Sequence, residues 1–312
     1  MKDTGAYTDL NTLVGLQYQS RGFSFLPKQP VGSLLAGQKA SRLRGRGLNF
    51  EEIRTYLPGD DIRNIDWKVT ARMREPHTRV YTEERDRPVI LVVDQRINMF
   101  FGSQRAMKSV VAAEAAALAA WRVLDAGDRI GAVIFNDTEI NEVRPHRSKK
   151  TVMQILQTID RQNHALKAND RSEIQPHRLN QILERTCRLS SHDNLVCIIS
   201  DFEGADEKTK RLVTRLAQHN DVLAAMVFDP LESMLADVGQ VVVGDGELQI
   251  EINSSDDKLK KQYAQEFSDR LEAVENFLIK RKIPVLPIST ATPVARQLRQ
   301  LLGLQSRVST TK

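Results

Sequence analysis

Residues 88–94 read PVILVVD, a short apolar run that is rich in β-branched residues and ends in an aspartate. An apolar run without alternation is typical of a parallel strand that is buried on both faces of its sheet. Four further runs of this kind follow along the chain: RIGAVIF (129–135), LVCIIS (195–200), VLAAMVF (222–228) and PVLPI (284–288). Together these runs predict five strands of one mostly parallel sheet.

The segments between these runs have helical periodicity. In residues 103–126, one apolar stripe is formed by Met107, Val110, Val111, Leu118, Trp121 and Leu124. Further helices are predicted at 149–162, 176–189, 206–219, 258–281 and 293–302. Alternating strands and helices predict an α/β fold, with a doubly wound, mostly parallel sheet and helices on both of its faces. Residues 238–252 carry Gly-Asp-Gly between two alternating runs, which predicts a hairpin inserted at the edge of the sheet.

Residues 1–87 lack this rhythm of strands and helices. They are predicted to form a separate, basic N-terminal segment in front of an α/β domain at 88–303, which a flexible tail at 304–312 follows. Within the segment, we predict a helix at 8–19 and a strand at 77–85.

A second short helix is predicted in this segment from a capping signal. Asn49 would cap it, with Glu51 and Glu52 in the first turn, where the helix dipole favours anions.

The composition is that of a globular protein, with 41% hydrophobic and 27% charged residues in 312. Most of the formal net charge of +5 lies in residues 1–87, where 15 Lys and Arg face 11 Asp and Glu. The basic cluster of Lys39, Arg42, Arg44 and Arg46 has two interpretations: a site for nucleic acid, anionic membrane or an acidic partner, or a solvated loop. Aromatic residues are sparse there, so we do not expect nucleic acid to be the partner.

The cysteines and the apolar segments bear on the compartment. Cys187 and Cys197 are too few for a disulfide framework and are predicted to be buried free thiols in a reducing compartment. The chain begins without an apolar signal core, and no stretch approaches 18 uninterrupted apolar residues. We therefore expect a cytoplasmic protein without a membrane span.

One predicted strand ends in an aspartate, Asp94, and two others are followed directly by one, Asp201 and Asp229. In a parallel sheet, ligands bind beyond the carboxyl ends of the strands, and clustered carboxylates suit Mg²⁺. The alternative, which we prefer from spacing alone, is that these aspartates cap helices or turns.

Motifs for catalysis are missing from the sequence. It has no Walker A loop, no G-x-S-x-G elbow and no H-E-x-x-H motif, and its six histidines are scattered. Nothing assembles a nucleophile, a base and an orienting group, so the sequence predicts that the chain is not an enzyme.

Two regions together resemble one known family. They are RGRGLNFEEIRTYLPGDDIRNIDWKVTAR (44–72) and ERDRPVILVVD (84–94), the latter followed by MFFGS (99–103) and AGDRIGAVIF (126–135). The sequence is similar here to the domain-of-unknown-function 58 family, bacterial proteins that carry a von Willebrand factor A-like domain. The resemblance covers residues 44–300 and implies that fold for the α/β domain.

The same resemblance implies a function. Family members are encoded beside MoxR-type AAA+ ATPases and are thought to act as their adaptors in chaperone-like assembly of other complexes. It therefore implies a MoxR-type ATPase as partner, with other von Willebrand factor A-like proteins as further partners. Many members carry N-terminal membrane spans, and the sequence shows none, which favours the cytoplasmic form.

The resemblance also implies a metal site that this chain has altered. Such domains often hold a metal-ion-dependent adhesion site that begins with Asp-x-Ser-x-Ser, and here the segment reads Asp94-Gln95-Arg96-Ile97-Asn98. A second aspartate matches at Asp201, whereas the expected threonine has only Thr138 and Thr151 as candidates. Either Arg96 pairs with Asp94 and Asp201 in place of the cation, or it points to solvent and leaves a weak Mg²⁺ site. We expect a degenerate site and no cofactor.

The run PGDDIRNIDW at 58–67 has two interpretations as well. Its polar and aromatic residues could form a partner-binding surface, since Arg and Trp are frequent binding hot spots. They could instead form an ion-pair lock that fixes the N-terminal segment to the α/β domain, which is the interpretation we prefer. The residues concerned are Asp60, Asp61, Arg63, Asp66 and Trp67.

Three functions thus remain after the sequence is considered. The leading hypothesis is a non-catalytic adaptor of a MoxR-type ATPase. The second is a metal-dependent enzyme, such as a hydrolase, that uses Asp94 and Asp201. The third is a nucleic-acid binder that uses the arm from Lys39 to Arg46, which a steep salt dependence would reveal.

Overall fold

The computed structural model describes residues 5–21, 48–83, 88–167, 177–233, 240–244, 249–253 and 256–302. The strands are β1 (Leu48–Thr55), β2 (His77–Glu83), β3 (Val89–Asp94), β4 (Ile130–Phe135), β5 (Ile140–His146), β6 (Leu195–Ser200), β7 (Asp221–Phe228), β8 (Gln240–Gly244), β9 (Gln249–Asn253) and β10 (Val285–Ser289). The helices are α1 (Leu10–Gly15), α2 (Trp67–Met73), α3 (Lys108–Asp125), α4 (Lys149–Ala165), α5 (Arg178–Leu189), α6 (Glu207–His219), α7 (Asp257–Lys280) and α8 (Val294–Leu302).

A six-stranded sheet is the centre of the fold, with the strand order β10–β7–β6–β3–β4–β5. All neighbours are parallel except β4 and β5, which are antiparallel. Every residue of β3, β4 and β6 is buried, as continuous apolar runs require when helices cover both faces of a sheet. The five predicted strands are confirmed, each within one or two residues.

The core lies in two layers, one on each face of the sheet. Alternate residues of β3 point to opposite layers, so that Leu91 and Val93 pack with α3 and α4, and Ile90 and Val92 pack with α5 and α6. Helices therefore cover both faces, and the predicted doubly wound α/β architecture is confirmed.

Strand β5 was not predicted, because its sequence gives a weak signal. It lies at the edge of the sheet, and Val143 is its one buried residue. An edge strand needs few apolar residues, and polar residues there discourage pairing with other chains.

The N-terminal helix α1 belongs to the α/β core. Leu13 and Leu16 are buried in the same cluster as α3, and the indole Nε1 of Trp121 donates a hydrogen bond to the carbonyl oxygen of Leu13 at 3.1 Å. The chain divides into two compact units, one of Met1–Val31 with Arg87–Lys312 and the other of Gly32–Asp86. The prediction that residues 1–87 form one separate segment is therefore corrected. The helix predicted at 8–19 packs its buried leucines against α3 and belongs to the α/β unit.

The second unit contains an antiparallel pair of strands, in which Leu48 opposes Glu83 and Thr55 opposes His77. The prediction that Asn49 caps a helix is wrong, because residues 48–55 form β1. The register shifts between Phe50 and Glu52, and this β-bulge breaks the alternation that would have revealed a strand in the sequence. The predicted strand at 77–85 is present as β2.

The predicted hairpin at 238–252 is present as the antiparallel pair β8 and β9. It forms a two-stranded sheet of its own and does not extend the edge of the six-stranded sheet. Its connecting residues 245–248, the basic cluster at 39–46 and the predicted tail at 304–312 lie outside the described residues. Within the described part of the chain, no helix is both long and apolar enough to cross a membrane.

The packing of α1 predicts the effect of truncating its buried leucine. Leu13→Ala leaves a cavity against α3, and we expect a loss of about 2–5 kcal/mol in the free energy of unfolding. Tyr18→Ala is the matched control, because Tyr18 is 84% exposed and its loss should change stability by less than about 0.5 kcal/mol. Denaturant unfolding measures both. If the two variants unfold alike, α1 does not belong to the core.

Candidate functional site

The three strand-end aspartates gather at one edge of the sheet. Strands β7, β6 and β3 are neighbours, so Asp229, Asp201 and Asp94 follow or end adjacent parallel strands at their carboxyl ends. This is the edge at which open α/β sheets bind their ligands. The contacts of each carboxylate show what this edge can hold.

Arg96 turns inward and pairs with Asp94. Of the two predicted arrangements, pairing with the carboxylate or pointing to solvent, the structure has the first for this pair. Both residues are buried, at 3% and 0% exposure. The guanidinium donates from Nε to Asp94 Oδ1 at 3.0 Å and from Nη2 to Oδ2 at 2.7 Å. The hydroxyl of Ser200 donates to the same Oδ2 at 2.7 Å. Both oxygens of Asp94 are therefore engaged by donors of the protein.

Lys108 is the second buried cation of the site. Its Nζ lies 2.8 Å from Asp201 Oδ2 and 2.5 Å from Glu232 Oε1. The amide nitrogen of Asn98 donates to both oxygens of Asp201 at 2.9 Å, whereas Arg96 Nη2 is 3.9 Å from Asp201 Oδ1. The predicted pairing of Arg96 with Asp201 is thus a longer contact, and Lys108 supplies the close counter-charge. We call Asp94, Arg96, Lys108, Asp201 and Glu232 the buried ion network.

Sequence reasoning missed Lys108, which begins the alanine-rich helix α3. Fourteen of the 18 residues of α3 are buried, Lys108 among them. A lysine at the start of a helix is usually solvated, so its position alone gives little warning. The available signal is the apolar helix around it, which leaves the lysine on a packed surface.

The pKa directions of Arg96, Lys108 and Asp201 show that their surroundings favour the charged form of each. Burial alone would lower the pKa of Lys108, but the charges of Asp201 and Glu232 outweigh it and raise that pKa. Burial would likewise raise the pKa of Asp201, and the ammonium of Lys108 holds it below its ordinary value instead. The pKa of Arg96 is raised in spite of burial, chiefly by the charge of Asp94. Burial opposes the charge of all three groups, and in each case the partners outweigh it.

Asp137 adds a third carboxyl group near Arg96, after those of Asp94 and Asp201. Its Oδ2 accepts a hydrogen bond from the backbone N–H of Ile97 at 2.7 Å. Burial raises the pKa of Asp137, against the lowering effects of that N–H and of Arg96. This group fixes the turn that carries Arg96.

Asp229 has a structural role. It is fully buried and accepts hydrogen bonds from the backbone N–H and the hydroxyl of Ser103, at 2.8 and 2.5 Å, and from the hydroxyl of Thr290 at 2.5 Å. Burial opposes ionisation, but these donors lower the pKa of Asp229. Asp229 also accepts a hydrogen bond from the backbone N–H of Leu231 at 2.8 Å and so caps its own turn, in line with the capping interpretation, while it ties the loop after β7 to two neighbouring loops.

The residues at this edge do not fit a Mg²⁺ ion. Mg²⁺ requires about six oxygen ligands in an octahedron. Here the neighbours of the carboxylate oxygens are the donor groups of Arg96, Lys108 and Asn98. The candidate threonines have other partners, since Thr138 bonds to Asn136 and Thr151 to Ser148. Across the described ranges, no group of three His, Cys, Asp or Glu residues is placed to hold a metal.

The structure divides the PGDDIRNIDW motif into two parts. Asp60 forms two 2.8 Å hydrogen bonds with the guanidinium of Arg54. Asp66 caps α2 and lies 2.8 Å from Nη2 of Arg79 on β2. The Arg54 and Arg79 side chains lower the pKa values of Asp60 and Asp66, respectively. These carboxylates therefore brace the second unit internally.

The remaining motif residues are exposed. Asp61 accepts a hydrogen bond from the backbone N–H of Arg63 at 3.0 Å, and the side chains of both are exposed. Trp67 is 70% exposed. The lock of the N-terminal segment onto the α/β domain stays a prediction.

The buried ion network predicts a large loss of stability when one cation is removed. Lys108→Met keeps the length of the side chain but leaves Asp201 and Glu232 without their ammonium partner, so we expect a loss of about 3–5 kcal/mol. Lys150→Met, at an exposed position of α4, should change stability by less than about 0.5 kcal/mol. Adding Asp201→Asn to Lys108→Met should recover part of the loss. Unfolding of Lys108→Met at the parent's midpoint would contradict the network.

The poor fit to Mg²⁺ predicts the result of calorimetry. The parent should show no saturable heat at millimolar Mg²⁺ and the same melting temperature in Mg²⁺ and in a chelator. The variant with Arg96→Ser, Asn98→Ser and Lys108→Met exposes both carboxylates and should bind Mg²⁺ more strongly than the parent, if it folds. Tight, saturable binding by the parent would overturn this account, whatever the variant does.

Comparison with known proteins places the chain in a family. The family model described as "Protein of unknown function DUF58" matches residues 52–273. An uncharacterized protein of Mycobacterium bovis and one of Mycobacterium tuberculosis are each 33% identical over 220 residues, which cover 70% of this chain and 67% of theirs.

Solved structures give weaker matches. The conserved hypothetical protein BatB from Bacteroides thetaiotaomicron has a TM-score of 0.40 at 10% identity, covering 68% of this chain and 93% of its own. A von Willebrand factor type A protein from Catenulispora acidiphila has a TM-score of 0.37 at 10% identity, covering 72% of this chain and 43% of its own. Likenesses as weak as these identify no function, whereas the family model covers most of the chain. The chain belongs to the DUF58 family of proteins of unknown function.

Proposed function

We propose that this chain is a non-catalytic interaction module that acts as the partner of a MoxR-type AAA+ ATPase in chaperone-like assembly or remodelling. The observation that carries the non-catalytic part is the buried ion network. The edge of the sheet where such folds bind ligands is filled by Arg96 and Lys108, which leave Asp94 and Asp201 with protein donors on their oxygens. Carboxylates held in this way are poor bases and poor metal ligands.

The two cysteines and the two serines at the buried carboxylates also support a non-catalytic role. Cys197 is buried, and burial raises the pKa of its thiol to about 12. Burial also raises the pKa of Cys187. These thiols therefore stay protonated at neutral pH and are not activated for attack. The hydroxyls of Ser200 and Ser103 donate to buried carboxylates rather than to a histidine that could act as a base.

The ATPase part of the proposal rests on the sequence resemblance at 44–72 and 84–135. A module with no chemistry of its own must act through what it binds, and an ATPase supplies the energy for remodelling. We also propose that the chain acts in the cytoplasm, since both cysteines are free thiols, as a reducing compartment favours.

The proposal predicts which protein is recovered with the chain. Affinity purification from the source cell should recover a MoxR-type AAA+ ATPase in at least one of three conditions: with ATP, with ADP or without nucleotide. The amount recovered should differ among the three conditions, because the ATPase changes its conformation through its cycle. Quantitative mass spectrometry measures the recovery. The matched control bait carries Tyr18→Ala, which changes an exposed side chain outside the core and should recover as much ATPase as the parent. Repeated recovery of no such ATPase in all three states would refute the proposal.

A further inference from the structure

In the second unit, the described side chains reverse the usual pattern of burial, with polar residues inside and apolar residues outside. Among residues 53–79, whose side chains the structure describes, the two buried residues are polar, Asp66 and Thr78. Five large apolar residues of the same stretch are exposed, out of nine in the described chain: Ile53, Leu57, Ile62, Trp67 and Met73. Such a concentration of exposed apolar residues marks an interaction site in a natural protein.

Polar bonds hold this arrangement in place. Asp66 accepts from the backbone N–H groups of Lys68 and Val69 and pairs with Arg79, and Thr70 Oγ1 accepts from the backbone N–H of His77 at 3.0 Å. Helix α2 has only seven residues and none of them is buried. An isolated helix of this length is marginal in water, so these polar bonds, and not a buried apolar face, hold α2 in place, with Trp67 and Met73 exposed.

The exposed charges on the same segment are mainly positive. Arg63, Lys68, Arg72 and Arg74 have exposed side chains, and two ion pairs among the described residues of this unit use Arg54 and Arg79. Of the four carboxylates between residues 57 and 79, Asp60 and Asp66 are paired with those two arginines, and Asp61 and Glu75 are exposed beside the four cations. Lys68 and Arg72 are four residues apart on α2 and therefore lie on one face of the helix.

We infer that Leu57, Ile62, Arg63, Trp67, Lys68, Arg72 and Met73 form a docking surface for an acidic segment of another protein that also carries apolar side chains. Exposed Trp and Arg are the residues that most often dominate binding energy, and the cations select a partner of opposite charge. We call these seven residues the docking surface. The inference rests on the proposed function, since it names the face through which the interaction module acts.

Other occupants fit the docking surface less well. In a symmetric pair, a second copy of this chain would set the same basic residues against one another. Single-stranded nucleic acid would use stacked aromatic rings, and Trp67 is the one aromatic residue among the seven, whereas binding to a duplex is tested by the nuclease treatment below. The chain's own α/β unit is the third alternative, and the experiment separates it from the others by stability.

The test compares four tagged full-length baits in the source cell: the parent, Trp67→Ala, Arg72→Glu and the control Tyr18→Ala, whose ring is exposed outside the docking surface. Lysates are treated with nuclease, and cross-linked peptides are identified by mass spectrometry. We expect one protein whose recovery falls by at least about thirtyfold with Trp67→Ala, falls also with Arg72→Glu, and stays at the parent's level with Tyr18→Ala. Its cross-linked peptide should be acidic and apolar, and all four baits should melt at the same temperature.

The outcomes distinguish this inference from the proposed function. If the protein lost is the MoxR-type ATPase, both are supported. If all four baits recover that ATPase equally and a different protein with an acidic, apolar contact is lost, the docking surface stands and the ATPase binds elsewhere. If the parent recovers no ATPase, the proposed function fails, and the loss of another such protein still decides the docking surface.

Several results would overturn the docking surface. The first is that all four baits recover the same proteins in the same amounts. The second is a lower melting temperature for Trp67→Ala, which would show that the residue packs against the chain itself. The third is recovery only of a second copy of this chain, or recovery that nuclease abolishes.

Discussion

The pairing of Arg96 and Lys108 with buried carboxylates constrains everything at the carboxyl edge of the sheet. Lys108 Nζ lies 2.8 Å from Asp201, and Arg96 Nη2 lies 2.7 Å from Asp94, with all four side chains at most 4% exposed. Charges buried to this degree are tolerated only when they are paired and hydrogen-bonded, so the surrounding turns must hold them in register. The N–H of Ile97 bonds to Asp137 and the N–H of Glu203 bonds to Asp201, which fixes two of those turns. The site is thus closed by its own side chains.

Sequence patterns were sufficient for the sheet and its helices because burial on both faces imposes long apolar runs. They were insufficient where the pattern was interrupted or shared with solvent. The bulge at Phe50 and Glu52 concealed β1 behind a capping signal at Asn49, and β5 buries only Val143. The docking of α1 depends on contacts such as Leu13 with Trp121, which are more than 100 residues apart and leave no local trace.

The sequence indicates several residues of the candidate site, but not all of the contacts that these residues make. The substitutions at Arg96 and Asn98 can be read from the sequence, and Arg96 does pair with Asp94. The sequence gives no indication that Lys108 pairs with Asp201, because a lysine that begins a helix is normally solvated. It also gives no indication of the contact between Lys108 and Glu232, which is distant along the chain. The motif at 58–67 shows the same limit. Its charged residues look alike in sequence, but Asp60 and Asp66 face arginines of their own unit while Arg63 and Trp67 face outward.

The buried ion network also limits how this sequence can change over evolutionary time. Replacing Arg96 alone strands the charge of Asp94, and replacing Lys108 alone strands the charges of Asp201 and Glu232. Each single step therefore passes through a destabilised protein, and natural proteins have only about 5–15 kcal/mol of stability to lose. A route from this network to an open carboxylate site needs at least two changes that are each harmful alone. This sequence is therefore separated from one with an open carboxylate site by intermediates of lower stability, and the two buried cations form that barrier.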